Sequence, residues 1–359
     1  MKAAILKAFG SPLSIETVAA PALGTGEIIV DVVATRVLSY ANEVFSGERK
    51  YALDLPVIPG PGGIGRVRAL GPDATRLAVG DWVFCDPTVR SRDAAIAPDI
   101  TLQAWSARDA GGMKLQQYFR HGSFAEQMMV PTENAKPIGP LDEQAAVQWC
   151  ALGTLLVPYG GFLAAHLEPG ETVLVSGATG NFGSAAVAVA LAMGAGRVVA
   201  PGRNRTVLAD LERRFGSRVR TVPLSGCERD DRERMKRDAG GPIDCVIDIL
   251  PPSAPATAAR AAIMAVRPYG RAVLMGGVGM LGGTGLDLPY SWIMRNCVTI
   301  HGAWMYPPDA TSRLAGLIRS GLLDINQFEA TSFDLDHANE AVEHAANNAG
   351  PFKMTVITP

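Results

Sequence analysis

The sequence predicts an α/β protein with two domains, one rich in β-strands and one built on a doubly wound parallel sheet. Three observations support this prediction. The chain has 359 residues, which is more than one ordinary hydrophobic core accommodates. Strand-like runs alternate with helix-length segments only in the middle of the chain, as in βαβ units. A glycine-rich loop, residues 177–183, stands where this alternation begins.

The first 150 residues predict short strands joined by turns. Apolar and β-branched runs occupy residues 27–33, 80–84 and 123–130, and residues 57–60 lead into a further strand. Gly and Pro clusters separate these runs, which is typical of strands connected by tight turns.

The middle of the chain predicts a parallel sheet with intervening helices. The predicted strands are residues 172–176, 197–200, 220–223, 243–248 and 271–276. The small apolar run 184–193 predicts a buried helix after the glycine loop, and the charged run Glu228–Asp238 predicts a helix with a solvated face. Beyond a strand at 298–302, we expect helices at 310–320 and 336–347 and a final strand at 353–357.

Composition and charge narrow the functional classes. Hydrophobic residues make up 48% of the chain and charged residues 19%, with a formal net charge of -2, so a nucleic-acid partner is not expected. The amino terminus lacks the pattern of a signal peptide, and no run is long enough to predict a membrane span. Five widely spaced cysteines are expected to be reduced thiols, and the predicted location is cytoplasmic.

The glycine loop predicts a dinucleotide site. Glycines allow the chain to turn sharply and approach a pyrophosphate, while the N–H groups and positive end of the following helix hold the anion. A loop of this kind is informative only between a strand and a helix, which is its predicted context here. The alternative is a tight turn with a purely structural role.

The strand after the loop favours NADPH over NADH. An NAD site usually has an acidic residue at the end of this strand to bind the ribose 2′-hydroxyl. Here the strand is followed by Gly202, Arg203, Asn204 and Arg205, and no acid occurs before Asp210. Arginine side chains suit a 2′-phosphate, although solvent-exposed arginines and a site with dual specificity remain an alternative. The residues predicted to bind the cofactor are Thr154, Gly177, Thr179, Gly180, Asn181, Phe182, Gly183, Gly202, Arg203, Asn204, Arg205, Gly276 and Gly277.

Together these features resemble the medium-chain dehydrogenase/reductase superfamily over nearly the whole chain. The matching stretches are residues 60–67 with Gly71-Pro72, residues 80–83, residues 122–126, the glycine loop and residues 299–302. The resemblance implies a GroES-like catalytic domain, residues 1–150 and 303–359, around a Rossmann domain, residues 151–302. It also implies a homodimer that pairs through the strand at 298–302.

The resemblance fails at the metal positions. Zinc-bearing members take metal from a Cys-His pair, a Gly-His-Glu motif and a later Cys; the matching positions here hold Leu38 and Ser39, then residues 60–62 (Gly-Pro-Gly), then Cys150. A zinc site needs three ligands with N, S or O donors, so we expect no metal, and Cys150 is expected to be a small buried residue. Residues 86–121, which match the structural-zinc lobe, contain no cysteine. The sequence is thus similar to the quinone-oxidoreductase and enoyl-reductase branches.

Without zinc, hydrogen-bond donors must offset the charge that hydride transfer creates on the acceptor. Conjugated acceptors such as quinones, enones and enals need the least charge stabilisation from the protein, because they delocalise that charge. A zinc-free reductase of ketones, aldehydes or imines is an alternative, and a non-catalytic NADPH-binding protein is another. The identity of the small-molecule substrate is left open.

Three tyrosines are candidate donors. Tyr40 falls where zinc-dependent relatives have a Ser or Thr proton relay, and Tyr51 lies near the position of a catalytic Tyr in enoyl reductases. Tyr159 is the third candidate. For each, the alternative is an aromatic ring that packs with its hydroxyl satisfied locally, and His301 is expected to be structural. Residues 86–121 are left unassigned, either lining the cleft or an interface or packing as a surface excursion.

Overall fold

The computed structural model describes residues 1–93 and 95–359. These residues divide into two units. The first comprises residues 1–153, 325–349 and 353–359, and the second comprises residues 154–324 and 350–352. The second unit therefore extends beyond residue 302, where the sequence predicts its end.

The amino-terminal elements are mostly short strands. The strands are β1 (Lys2–Ile5), β2 (Ser14–Thr17), β3 (Glu27–Val37), β4 (Gly63–Leu70), β5 (Trp82–Cys85), β6 (Thr88–Arg90), β7 (Ile100–Leu102), β8 (Ser106–Ala107), β9 (Gln127–Pro131) and β10 (Ala135–Pro137). The helices are α1 (Ala41–Phe45), α2 (Ala110–Tyr118) and α3 (Glu143–Trp149).

Strands and helices alternate through the middle of the chain. The helices are α4 (Leu152–Ala164), α5 (Asn181–Ala192), α6 (Arg205–Phe215), α7 (Glu228–Asp238), α8 (Ala256–Ile263), α9 (Tyr290–Arg295) and α10 (Ala310–Arg319). The strands are β11 (Thr172–Ser176), β12 (Arg197–Gly202), β13 (Val219–Pro223), β14 (Cys245–Asp248), β15 (Arg271–Leu274) and β16 (Thr299–Gly302). The carboxyl-terminal elements are β17 (Glu329–Asp334), α11 (Ala338–Asn347) and β18 (Lys353–Thr358).

The first unit is organised around β3, its longest strand. The seven-stranded sheet has the order β10-β5-β4-β3-β18-β17, and β9 also pairs with β3. The pairs are antiparallel except β17 with β18, which run parallel. Apolar side chains of these strands, among them Ile28, Val67 and Met128, form a buried cluster. This is the β-rich domain that the sequence predicts.

The second unit contains a six-stranded parallel sheet of order β13-β12-β11-β14-β15-β16. The first strand in sequence, β11, lies between β12 and β14, so the direction in which strands are added reverses beside it. In open sheets of this type, ligands bind at the carboxyl ends of the strands next to this reversal. The predicted doubly wound parallel sheet is confirmed.

Segment 86–121 contains more structure than the sequence predicts. Strands β6, β7 and β8 form a small antiparallel sheet, and α2 follows them. The side chain of Asp109 caps α2 by accepting a hydrogen bond from the Gly112 N–H at 2.8 Å. Ala94 of this segment lies outside the described residues.

One apolar stretch, Glu143–Ala164, is long enough to cross a membrane by length and composition alone. Its most apolar window is 72% buried within the protein. Burial of this kind is typical of a core helix, so the stretch is weak evidence for a membrane span.

Candidate functional site

The loop between β11 and α5 has the geometry of a phosphate-binding turn. Gly177 has a φ of 94°, a conformation that favours glycine. A side chain at Gly183 would overlap the Gly177 carbonyl, so the first turn of α5 can lie against the loop only with glycine there. The backbone of Gly180 starts the helix. The amino end of α5, flanked by Thr179 and Phe182, therefore suits an anion.

The next strand end lies beside this loop. A side chain at Gly202 would overlap the Thr179 methyl group, so the close approach of the two segments requires glycine. Arg203 follows and lines a mostly apolar cavity of about 130 Å³ together with Gly177, Leu224 and Leu250. The apolar part of these walls suits the adenosine group of a dinucleotide, and the carboxylates of Glu228 and Asp231 line the cavity as well.

Three other residues predicted to bind the cofactor are Asn204 and Asn181, which make hydrogen bonds within the protein, and Arg205, which is exposed. The Asn204 side chain caps α6, accepting hydrogen bonds from the Thr206 and Val207 N–H groups at 3.0 and 3.2 Å. Arg205 is the exposed first residue of α6. The Asn181 amide donates to the Gly350 carbonyl at 2.9 Å. Their roles toward a cofactor stay predictions.

The ends of β14 and β15 complete this edge of the sheet. A Cβ at Gly276 would lie 2.7 Å from the Leu250 carbonyl oxygen, and the Gly277 N–H donates to the same oxygen at 2.8 Å. Asp248, at the end of β14, is buried beside its register partner Ser176. Burial raises the pKa of Asp248 to about 6, although hydrogen bonds from Ser176 and the Leu250 N–H oppose the increase.

Thr154 lies in α4 and is fully buried. Its hydroxyl has no hydrogen-bond partner among the described residues. A buried hydroxyl that the protein leaves unsatisfied is a reasonable contact for a ligand. Tyr159, also in α4 and in the second unit, has its pKa raised by burial and lies near Arg313 and Asp309.

Tyr40 and Tyr51, the two other candidate donors, lie together in the first unit. Their rings meet edge to face with centroids 6.5 Å apart, and the Trp105 ring lies 6.0 Å from that of Tyr40. The Arg49 guanidinium lies over the Tyr40 ring, 4.0 Å from its centroid, and pairs with Glu43 at 2.8 Å. Segment 86–121 thus supplies Trp105, a wall of this aromatic cluster.

Tyr40 is half-buried at the start of α1. Desolvation raises the pKa of its hydroxyl, aided by Tyr51 and opposed by Arg49. The hydroxyl therefore carries its proton at neutral pH and can donate it in a hydrogen bond.

The positions matching zinc ligands carry few atoms that could bind a metal. Leu38 and Pro61 have no side-chain donor atom, and the turn at residues 60–62 has no room for a side chain at Gly60 or Gly62. A Cβ at Gly60 would lie 2.5 Å from the Ser123 hydroxyl, and one at Gly62 would overlap the Cys85 carbonyl. Burial raises the pKa of the Cys150 thiol to about 12. Among the residues that the structure describes, no group of three His, Cys, Asp or Glu side chains could hold a metal ion.

Arg36 was not predicted from the sequence. It is 6% exposed near the end of β3, and its charge interacts with Cys150 and Tyr40. A signal was available: an arginine interrupts the apolar run after residue 32. Charged side chains are almost never fully buried without a reason.

Comparison with known proteins identifies the family. Residues 24–140 match the family model of the alcohol dehydrogenase GroES-like domain, and residues 182–320 match that of zinc-binding dehydrogenases. An alcohol dehydrogenase from Moraxella sp. (strain TAE123) is 30% identical over 251 residues, which are 67% of this chain and 68% of that enzyme. The chain belongs to the medium-chain dehydrogenase/reductase superfamily. The predicted family is confirmed, and it is a family of oxidoreductases.

A second relative has a different activity. An acryloyl-coenzyme A reductase from Metallosphaera sedula is 30% identical over 208 residues, which are 55% of this chain and 58% of that enzyme. The chain spans between about half and two thirds of the length of the curated relatives that it matches.

Solved structures share the whole fold. One from Sinorhizobium meliloti 1021, described as a zinc-binding dehydrogenase and bound to NADP, has a TM-score of 0.79 and 21% identity, covering 100% of this chain and 99% of that one. An alcohol dehydrogenase from E. coli CFT073 in complex with NADH also has a TM-score of 0.79, with 18% identity and the same coverage. The predicted combination of GroES-like and Rossmann folds is confirmed.

Proposed function

We propose that this protein is an NADPH-dependent, zinc-independent reductase that transfers hydride to a conjugated acceptor such as a quinone, an enone or an enal. The observation that carries the proposal is the donor set of the first unit. Leu38 and the crowded turn at residues 60–62 stand where a metal would need ligands. A catalytic zinc stabilises an oxyanion as a Lewis acid, and these residues offer no ligands to bind such a zinc ion.

The choice of acceptor follows from the absence of these zinc ligands. Reduction of an isolated ketone concentrates negative charge on one oxygen, whereas a conjugated acceptor spreads it over several atoms. The Tyr40 hydroxyl, protonated at neutral pH, is the donor that the aromatic cluster offers to such an acceptor. The similarity to an acryloyl-coenzyme A reductase supports reduction of an activated C=C bond.

The second unit supports NADPH as the cofactor. When bound, the cofactor supplies a hydride from its nicotinamide ring. The amino end of α5 would hold its pyrophosphate, and Arg203, at the rim of the apolar cavity, would bind the 2′-phosphate. The strand end carries no acidic residue to favour the unphosphorylated ribose of NADH.

Net charge and cysteine content bear on the partner and the compartment. The net charge of -2 gives no basis for nucleic-acid binding. All five cysteines are free in the structure, which suits a reducing compartment, so we propose a soluble cytoplasmic enzyme with small-molecule substrates.

The deciding experiment is a panel of acceptors with NADPH and a chelator present. We expect oxidation of NADPH with a quinone or an enone, and NMR of the enone product should show a saturated C–C bond and an intact carbonyl. Elemental analysis of the purified protein should find less than stoichiometric zinc. One tight zinc per chain, or activity confined to simple ketones, aldehydes or imines, would disprove the proposal.

A further inference from the structure

Arg36 is a buried cation whose position follows from the pleat of β3. The neighbouring Thr35 hydroxyl donates to the Gly62 carbonyl at 3.0 Å and lies 2.5 Å from the Ser123 hydroxyl. Because successive side chains of a strand point to opposite faces, Arg36 points away from that turn. Its Cδ lies 4.0 Å from the position of a Cβ at Gly153, in the first turn of α4.

The groups around Arg36 are those of the candidate site. Its charge interacts with Cys150, the last of the positions that match zinc ligands, and with Tyr40, the candidate donor. Burial lowers the pKa of Arg36 to about 10, so the guanidinium remains charged at neutral pH. Burying a charged group is unfavourable even after the protein relaxes. A cation kept buried beside Tyr40 and Cys150 indicates a task in the site.

We infer that Arg36 supplies the positive charge that stabilises the oxyanion of the reduced acceptor. The inference rests on the proposed function and names the group that replaces the metal. An enone gains a hydride at the carbon β to its carbonyl, and NADPH becomes NADP⁺. The π electrons move onto the carbonyl oxygen, and a proton from Tyr40 or water then bonds to the α carbon to give the saturated ketone.

A guanidinium suits this task better than the other available groups. It is planar, always charged near neutral pH and carries several N–H donors in a fixed arrangement. In a site with few water molecules, a fixed cation stabilises a developing anion far more than it would in water. Arg49 also lies near Tyr40, where its guanidinium stacks on the ring and pairs with Glu43.

The test uses 4-nitrophenol, whose phenolate resembles a conjugated enolate and is coloured. It is bound to the full-length protein saturated with NADP⁺, and its pKa is measured by absorbance in the wild type and in Arg36→Met. We expect the pKa of the bound phenol to be at least about one unit higher in Arg36→Met, a tenfold change in ionisation. Arg66→Met, which removes an exposed arginine stacked on Trp82 at 4.5 Å, should leave it unchanged.

The readout needs no turnover, so it separates this inference from the proposed function. Equal phenol pKa values in wild type and Arg36→Met, or failure of the wild type to bind the phenol at millimolar concentration, would overturn the inference even if enones are reduced. If Arg36→Met does not fold, Arg36→Lys gives the answer: it keeps the charge, so the phenol pKa should remain low relative to Arg36→Gln. An identical pKa in the Lys and Gln variants would also overturn the inference.

Discussion

The hydroxyl of Tyr40 is the group whose removal tests the proposed chemistry most directly. In Tyr40→Phe the ring keeps its contacts with Tyr51 and Trp105 but loses its donor. Loss of a donor to a developing oxyanion typically costs about 10²–10³ in rate. We expect kcat for the acceptor to fall at least about tenfold while the Kd of NADPH is unchanged, measured by steady-state kinetics and titration.

The matched control is Tyr118→Phe, which removes the hydroxyl of an exposed tyrosine; this hydroxyl donates to Glu27 in the same unit. It should retain the kcat of the wild type. If kcat of Tyr40→Phe stays within about twofold of the wild type, far from the usual effect of a lost donor, Tyr40 only packs. Tyr51 then becomes the candidate to test.

Arg203 should determine which nicotinamide cofactor binds. It lines the apolar cavity, whereas Arg205 begins α6. We expect NADPH to bind at least tenfold tighter than NADH, which is roughly 1.4 kcal/mol and within reach of one Arg–phosphate contact. Arg203→Ala should remove most of this preference, measured as the two dissociation constants.

Arg220→Ala serves as the control, because it removes the same charge from an exposed position on β13. Equal dissociation constants for NADPH and NADH in the wild type would disprove the prediction. If the preference for NADPH over NADH persists in Arg203→Ala, Arg205 becomes the next residue to test.

The sequence predicted local chemistry better than it predicted which side chains meet. The positive φ of Gly177 and the crowding at Gly183 follow from a motif in which each of these glycines has a structural reason. The contact of Tyr40 with Trp105 joins residues far apart in the chain. Arg36 was missed because a polar residue in an apolar run breaks the pattern from which strands are predicted, and only the tertiary structure shows that it is buried.

The parallel pairing of β11 with β14 brings Ser176 and Asp248 together at the carboxyl ends of these strands. Burial raises the pKa of Asp248 from 3.8 to about 6. Between these values the folded state holds a proton that the unfolded state has released. The stabilisation that the protonated Asp248 carboxyl gives the folded state is therefore complete below about pH 4 and is lost as the pH rises through about 6.

We expect Asp248→Asn to weaken this pH dependence. The pKa difference corresponds to roughly 3 kcal/mol, so the free energy of unfolding should decline less in the variant between about pH 4 and 8, by up to that amount. Urea denaturation across this range measures it, with Asp287→Asn as a control for the same loss of charge at an exposed site. Parallel curves for wild type and Asp248→Asn would contradict the prediction.

Elements with a strong period were predicted to within a few residues, and the short strands of segment 86–121 were not. Strand β11 and helix α7 have the predicted bounds. The strand predicted at residues 27–33 continues to Val37, because edge-to-edge pairing with β18 carries the polar residues Thr35 and Arg36 into the sheet. Strands β6, β7 and β8 have two or three residues each, too few for an alternation to be visible.

The division of the chain also depends on contacts that the sequence does not show. Residues 303–324 belong to the second unit. A Cβ at Gly160 would overlap the Met305 carbonyl and lie 2.6 Å from the Tyr306 Cβ, so a glycine in α4 lets this segment pack against the helix. Composition alone gives no indication of that close approach.

The open edge of the parallel sheet should join two copies of the chain. Strand β16 is the last in the sheet order, and its residues are largely exposed. The second unit also exposes large apolar side chains: Tyr269, Met280, Leu281, Tyr290, Met294, Trp304 and Leu322. Unpaired strand edges and exposed apolar surface favour association. We therefore expect a homodimer at micromolar concentration, with β16 at the interface.

Two exposed residues of α9 allow a test that should not disturb the monomer. Tyr290 and Met294 are 80% and 55% exposed, so Tyr290→Lys with Met294→Lys costs little in an isolated chain. At an interface the same change buries unpaired charge, and the dimer Kd should rise at least tenfold, or roughly 1.4 kcal/mol. Light scattering and sedimentation over a dilution series measure this Kd.

The control is Leu322→Lys, at a residue that is 63% exposed in the same unit and lies outside α9 and β16. It should leave the dimer Kd unchanged. A monomeric wild type at micromolar concentration would refute the dimer, and an unaltered Kd in the double variant would exclude α9 from the interface.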